Sequence, residues 1–205
     1  MKRLVCCLAA AAMLLAVQAA EADGPRAGSP YSIIPMPARI EMAQGSYTLP
    51  AQGAKVYIRG AETGVLAQYM SASALRTTTI GSRGKADITI TISGKSARQA
   101  AAEGYTLTVT PKRIAISAAT ETGAFYAVQT LLQLTAQGTS HSIDCCTITD
   151  QPRFPYRGLH FDVSRHFFSK AYLLKQIDAM ALLKLNRMHL HLTDAAGWRL
   201  AIDRY

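Results

Sequence analysis

The chain has 205 residues, 49% of them hydrophobic, and 22 Lys and Arg against 13 Asp and Glu give it a formal charge of +9. The basic residues are scattered singly from Arg26 to Arg204, in no run longer than two and without interleaved aromatics. That distribution argues for a solvated basic surface and against a nucleic-acid-binding groove.

The N-terminus reads as a secretory signal peptide over residues 1–22. Lys2 and Arg3 precede an apolar run from Leu4 to Val17, and small residues follow at Ala19, Ala20 and Ala22. The run is too short to span a bilayer comfortably, and cleavage after Ala19 or Ala22 fits the small-x-small rule. An uncleaved anchor is the rival reading. Removal takes away Lys2, Arg3 and Glu21 and leaves about +8 on 183 residues (205 − 22), enough for one full domain and part of another. No later segment is apolar for long enough to cross a membrane, so a soluble chain in the periplasm or outside the cell is expected. Only Cys145 and Cys146 would remain. Neighbours on a strand point to opposite faces, so a bridge between them would be strained, and no second Cys/His pair completes a metal site. One buried and one more exposed thiol are expected.

Residues 23–30 form a Gly/Pro-rich linker. Residues 31–50 offer two short strands around the turn signal Ala43-Gln44-Gly45, and "AKVYIRG" a third. Over residues 62–76, Val65, Leu66, Tyr69 and Leu75 fall on a helical stripe. "ADITITIS" alternates strictly, with Ile88, Ile90 and Ile92 on one face and Thr89 and Thr91 on the other, as in a half-buried strand. "GYTLTVTPKRIAISA" repeats the pattern on both sides of Pro111-Lys112-Arg113 and reads as a hairpin. Thr120 can cap a following helix whose stripe is Phe125, Val128, Leu131 and Leu132 and which Gly138 ends; "SIDCCTITD" is one more strand. The order describes an α+β domain over residues 31–150.

After the Pro-bounded joint "QPRFPYRG" the pattern becomes strand ("GLHFDVS"), helix (capped by Ser169) and strand ("RMHLHLTD"). This is a βαβ unit whose strands should be parallel and buried. Two such strands need further cover, so residues 151–205 read as the beginning of a larger domain. Polar residues gather at both strand ends: Asp162, Ser164, Arg165 and His166 after the first, Thr193 and Asp194 after the second. Ligands bind at such ends of parallel sheets, and Arg165 and Asp194 point to one shared pocket; helix capping and surface solvation are the bland alternative. His189 and His191 spell H-x-H on one strand face, a possible metal pair, but without a third and fourth ligand they read better as packing or supporting histidines. Trp198 can stack on the apolar face of a sugar or plug the joint between domains, and on pattern alone the plug is the better reading.

"RGLHFDVSRHF" followed by "IDAMALLKLNRMHLHLTDAAGWRLAI" resembles the start of the catalytic barrel of family 20 glycoside hydrolases, the β-N-acetylhexosaminidases. "EGYTLTVTPKRIAISAATETGAFYAVQTLLQL" is similar to the end of the small α+β domain that precedes that barrel. The resemblance implies an α+β domain followed by the first strands of a (β/α)8 barrel. It also implies exo-hydrolysis of terminal N-acetylglucosamine or N-acetylgalactosamine from glycans, no cofactor, and retention assisted by the substrate's own acetamido group. By position, Arg165 resembles the arginine that grips the sugar hydroxyls, and Asp194 the acidic residue that supports the catalytic acid region. Asp162, His191 and Trp198 take supporting places. Many members have a second Asp after Asp194, where this chain has Ala195. The family's adjacent Asp-Glu pair occurs nowhere in the 205 residues, which are therefore expected to be inactive alone. A non-catalytic carbohydrate-binding module and a metal-dependent barrel hydrolase stand as alternatives.

Overall fold

The computed structural model describes residues 31–61, 63–94, 99–138 and 141–203. The signal peptide and linker expected over residues 1–30, and Glu62 at the start of the first expected helix, lie outside the described residues. Residues from Tyr31 onward form one compact unit.

A seven-stranded mixed sheet, in the order β1-β7-β5-β6-β4-β2-β3, carries that unit. Its strands are β1 (Arg39–Thr48), β2 (Lys55–Arg59), β3 (Thr78–Thr79), β4 (Ile88–Ile92), β5 (Tyr105–Thr110), β6 (Arg113–Ala118) and β7 (Ser142–Asp150). Helix α1 (Val65–Ala72) follows β2, a short α2 (Gln99–Ala102) follows β4, and α3 (Glu121–Gln137) follows β6. The alternation in "ITITI", "YTLTVT" and "RIAISA" decides the faces: Ile88, Ile90, Leu107, Val109, Ile114 and Ile116 all join the core beneath the helices, while Thr91, Thr106, Thr108 and Ser117 point the other way. β5 and β6 pair antiparallel down to Thr110 opposite Arg113, so Pro111-Lys112 is a two-residue turn. Thr120 caps α3 by accepting from the Gly123 N–H at 3.3 Å, as its position predicts.

Several details differ from the sequence expectations. Residues 39–48 form one strand, not two, because Met42 pairs with Cys146 and Ser46 with Asp144. Ala43, Gln44 and Gly45 together stand opposite Cys145, a bulge with Gly45 at φ 93°. A Cβ on Gly45 would lie 3.3 Å from Pro111 Cγ and 3.8 Å from Cys145 Sγ, so the bulge and the β5–β6 turn roof Cys145. Cys146 sits in the core on the opposite face, and both free thiols are therefore buried. On α1, Leu66 and Met70 face the core while Val65 is 61% exposed, because the helix begins only at Val65. Thr89, on a central strand, is buried. α3 is covered over more than a stripe: Ala124, Tyr126, Ala127, Val128, Leu131 and Leu134 are all buried, because the sheet lies beneath it and a further helix packs above.

That further helix belongs to the strand–helix–strand unit. β8 (Gly158–Asp162) and β9 (Arg187–His191) pair in parallel, joined by α4 (Lys170–Leu182), whose cap Ser169 accepts from the Tyr172 N–H at 3.2 Å. The pair is not buried as expected: Leu159 and Leu190 remain 38% and 37% exposed, since no further strand flanks either edge among the described residues. α4 ends in a Schellman turn, with Leu185 N–H donating to Met180 O at 2.8 Å and Lys184 N–H to Ala181 O at 3.0 Å. Lys184 holds the left-handed position of that turn at φ 57°, where glycine is favoured and another residue costs about 1–2 kcal/mol.

Candidate active site

The two parallel strands carry their polar residues on one face. Register pairs His160 with His189 and Asp162 with His191, and alternation puts all four on the same side. Beyond β9 the chain does not continue as one strand to Asp194. It breaks at Leu192 and forms a two-strand ribbon, β10 (Thr193–Asp194) against β11 (Gly197–Trp198), which turns through Ala195 and Ala196.

Three contacts tie this ribbon to the loop after β8. Ser164 Oγ, fully buried, donates to Gly197 O at 2.6 Å, Arg199 Nε donates to Val163 O at 3.0 Å, and Arg199 Nη2 donates to Ser164 O at 3.4 Å. Arg199 was absent from the sequence expectations; its guanidinium, 5.5 Å from the Phe167 ring centroid, has no short-range signature. Gly197 is tightly held as well, since a Cβ there would lie 2.8 Å from Ser164 O. A Gly197→Ala variant is expected to push ribbon and loop apart and to lose about 1–3 kcal/mol, measurable by urea unfolding.

So stapled, the two strand ends bring Asp162, Arg165, His191 and Asp194 together. Asp162 Oδ1 accepts the backbone N–H groups of Ser164 (3.1 Å) and Arg165 (2.9 Å), and its Oδ2 lies 2.5 Å from Arg165 Nη1. The other arm of the fork, Nη2, lies 2.7 Å from Asp194 Oδ2, and His191 Nε2 meets the same oxygen at 2.9 Å. Asp194 Oδ1 accepts from the Ala195 N–H at 2.7 Å. The Arg165 backbone N–H first, and then its guanidinium, hold the Asp162 carboxyl at about 2. Asp194 is held below the usual carboxylate range by the Ala195 N–H, then by His191 and Arg165. Both acids are thus ionised across the neutral range, and the arginine between them is aimed by two charges while its side chain stays 62% exposed. A donor fork fixed in direction and open to solvent suits a ligand with adjacent hydroxyls.

The lowered pKa of Asp162 has a definite sign. Its carboxylate is favoured in the folded state, so its contribution to stability is present above about pH 4 and is lost as pH falls through about 2. In a carboxyl NMR titration, Arg165→Gln is expected to raise the Asp162 midpoint only part of the way back, because the backbone N–H at position 165 remains.

His189 is exposed rather than packed, its ring 4.6 Å edge-on from that of His160. Among the described residues no group of three or more His, Cys, Asp or Glu is placed to hold a metal ion. Trp198 is 61% exposed and does not plug the joint between residues 31–150 and the strand–helix–strand unit. That joint is filled by Arg157 and Lys184, which meet Glu103 at 2.6 Å and Asp150 at 2.9 Å.

The family description "Glycosyl hydrolase family 20, domain 2" matches residues 30–151, and "Glycosyl hydrolase family 20, catalytic domain" matches residues 154–205. The chain belongs to glycosyl hydrolase family 20. A beta-hexosaminidase of Vibrio vulnificus is 35% identical over 171 residues, covering 83% of this chain and 20% of that protein. An N,N'-diacetylchitobiase of Vibrio harveyi is 41% identical over 125 residues, 58% of this chain and 14% of its own length. Among solved structures, a beta-N-acetylhexosaminidase of Bacteroides fragilis superposes with a TM-score of 0.76 at 29% identity, over 86% of this chain and 35% of that one. The N-acetyl-beta-hexosaminidase of Streptomyces plicatus gives 0.72 at 30% identity, over 88% and 38%. The chain thus spans about a fifth of the curated family 20 relatives it matches. No helix among its described residues is long and apolar enough to cross a membrane.

Proposed function

We propose that this chain is the amino-terminal part of an exo-acting β-N-acetylhexosaminidase, with Arg165 and Asp194 on one wall of the pocket for a terminal N-acetylhexosamine. The observation that carries the reading is the Arg165 fork held between Asp162 and Asp194, at 2.5 and 2.7 Å, where two parallel strands end. When a sugar binds, the guanidinium donates to neighbouring ring hydroxyls while Asp162 keeps it in place. Asp194 and His191 form an adjacent acid–imidazole pair that can orient groups reaching in from the rest of a (β/α)8 barrel. Trp198, exposed at the ribbon, is available to the apolar face of a sugar.

Hydrolysis in this reading is substrate-assisted: the acetamido oxygen attacks the anomeric carbon, and an Asp-Glu pair orients that group and protonates the leaving oxygen. No adjacent Asp and Glu occur in the 205 residues. The chain by itself is therefore proposed to bind sugar weakly and to hydrolyse nothing. Residues 1–22 are proposed to direct it out of the cytoplasm as a signal peptide, consistent with glycan substrates.

The test is an NMR titration of the chain with N-acetylglucosamine. Shifts confined to the neighbourhoods of Arg165 and Asp194, abolished by Arg165→Ala, support the pocket; shifts elsewhere, or none at millimolar sugar, overturn it. Nitrophenol released from a nitrophenyl N-acetylglucosaminide would place the catalytic acid within these residues and refute that half of the proposal.

A further inference from the structure

We infer that the α+β domain acts as the base plate of the sugar-pocket strands: two buried ionic contacts bolt the starts of β8 and β9 to it and so set the direction of both. The inference concerns residues 31–150, to which the pocket reading gives no task, and it does not depend on which ligand binds.

The first bolt sits immediately before β8, and the second lies in the turn that leads from α4 into β9. Arg157, just ahead of β8, directs Nη2 to Glu103 Oε2 at 2.6 Å and to the Tyr126 hydroxyl at 3.2 Å. Its Nε and Nη1 donate to Lys184 O (2.9 Å) and Phe154 O (2.7 Å). Asn186, just ahead of β9, closes the same cluster by donating to Glu103 Oε1 at 3.0 Å and accepting the Arg157 N–H at 3.0 Å. The second bolt is Lys184. Its ammonium reaches Asp150 Oδ2 at 2.9 Å and the Tyr105 hydroxyl at 2.8 Å, and that hydroxyl also contacts Asp150 (3.0 Å) and Thr130 (2.6 Å). Every charged side chain in the two bolts is 14% exposed or less.

Two observations separate this arrangement from incidental packing. Lys184 tolerates a left-handed backbone that glycine would take without strain, and burial pushes its ammonium below the ordinary lysine value while Asp150 pulls it back. A buried ion pair adds little stability over an apolar pair of equal volume, but it is directional where an apolar contact can slide. Direction is what the strands need. Each runs about 15 Å from bolt to tip, so a tilt of roughly 10° at the base moves the tip by about 2–3 Å, as much as the whole Arg165–Asp194 separation.

The experiment separates orientation from stability. Spin labels at Lys112→Cys on the β5–β6 turn and Lys175→Cys on α4, with Cys6 and Cys7 changed to Ser, report the distance between the two parts of the chain; both labelled positions are exposed, whereas Cys145 and Cys146 are buried. Asp150→Asn, which leaves the ammonium without its counter-charge, is expected to lower Tm by roughly 10 °C. The apolar pair Asp150→Leu with Lys184→Met is expected to restore most of that loss and still widen the distance distribution roughly twofold. A distribution as narrow as that of the parent chain, or an unchanged Tm in Asp150→Asn, would overturn the inference. So would failure of both variants to fold, which would make the pair a requirement of folding and not of direction.

Discussion

Arg157→Ala is expected to destabilise the chain by about 3–5 kcal/mol. The guanidinium is 14% exposed and satisfies four acceptors, of which only the Glu103 carboxylate carries charge. Truncation leaves that carboxylate, whose side chain is 9% exposed, with Asn186 alone for a partner, and it leaves the carbonyls of buried Lys184 and exposed Phe154 short of a donor. The lost cation–π contact over Tyr126, now at 5.6 Å, adds to the cost. Arg157→Lys keeps the charge but not the fork, and an ammonium cannot serve Glu103, Lys184 O and Phe154 O from one position; it is expected to recover less than half of the loss. Urea unfolding of both variants measures this, provided the m-value stays constant. A loss under 1 kcal/mol in Arg157→Ala would mean that the joint is held by apolar contacts instead.

How much of this was legible in the sequence follows from the range of the interactions involved. Strands β4 to β6 could be read because alternation is written residue by residue in "ITITI" and "YTLTVT", and the α3 and α4 caps because Thr120 and Ser169 act within three residues of themselves. Asp162, Arg165 and His191 could be placed at one end of a parallel pair because register follows once β8 and β9 are recognised. The bulge at Ala43 to Gly45 was misread as a turn, since Gln-Gly permits either and only pairing with β7 decides between them. The same ignorance of pairing hid what covers Cys145. Arg157 and Lys184 carried no local signal at all: their partners stand 54 and 34 positions away, and each looks like one more of 22 scattered basic residues. Their importance comes from burial, which no periodicity of single charges announces.

Leu131→Ala carries the other large effect, about 4 kcal/mol, toward the upper end of the 2–5 kcal/mol usual for such a truncation. The range is wide because the cost depends on whether the surroundings can collapse into the space left. Leu131 is fully buried on α3, and α3 has little room to move. Beneath it lie the core isoleucines of β4 and β6, above it α4, and at its N-terminus Gly123 sits so close to the Gly104 carbonyl that a Cβ would come within 2.5 Å. A helix pinned on both sides and at one end cannot settle toward the sheet, so the cavity persists. Leu132, one residue on and half-buried, is the control: Leu132→Ala removes a similar side chain from a site that water already reaches and is expected to cost about 1–2 kcal/mol. If the two truncations cost the same in urea unfolding, α3 is free to shift and the rigidity assigned to the layer beneath α4 is absent. If they differ by about 2 kcal/mol or more, the helix between sheet and strand–helix–strand unit is the stiff member through which the α+β domain can hold the pocket strands in place.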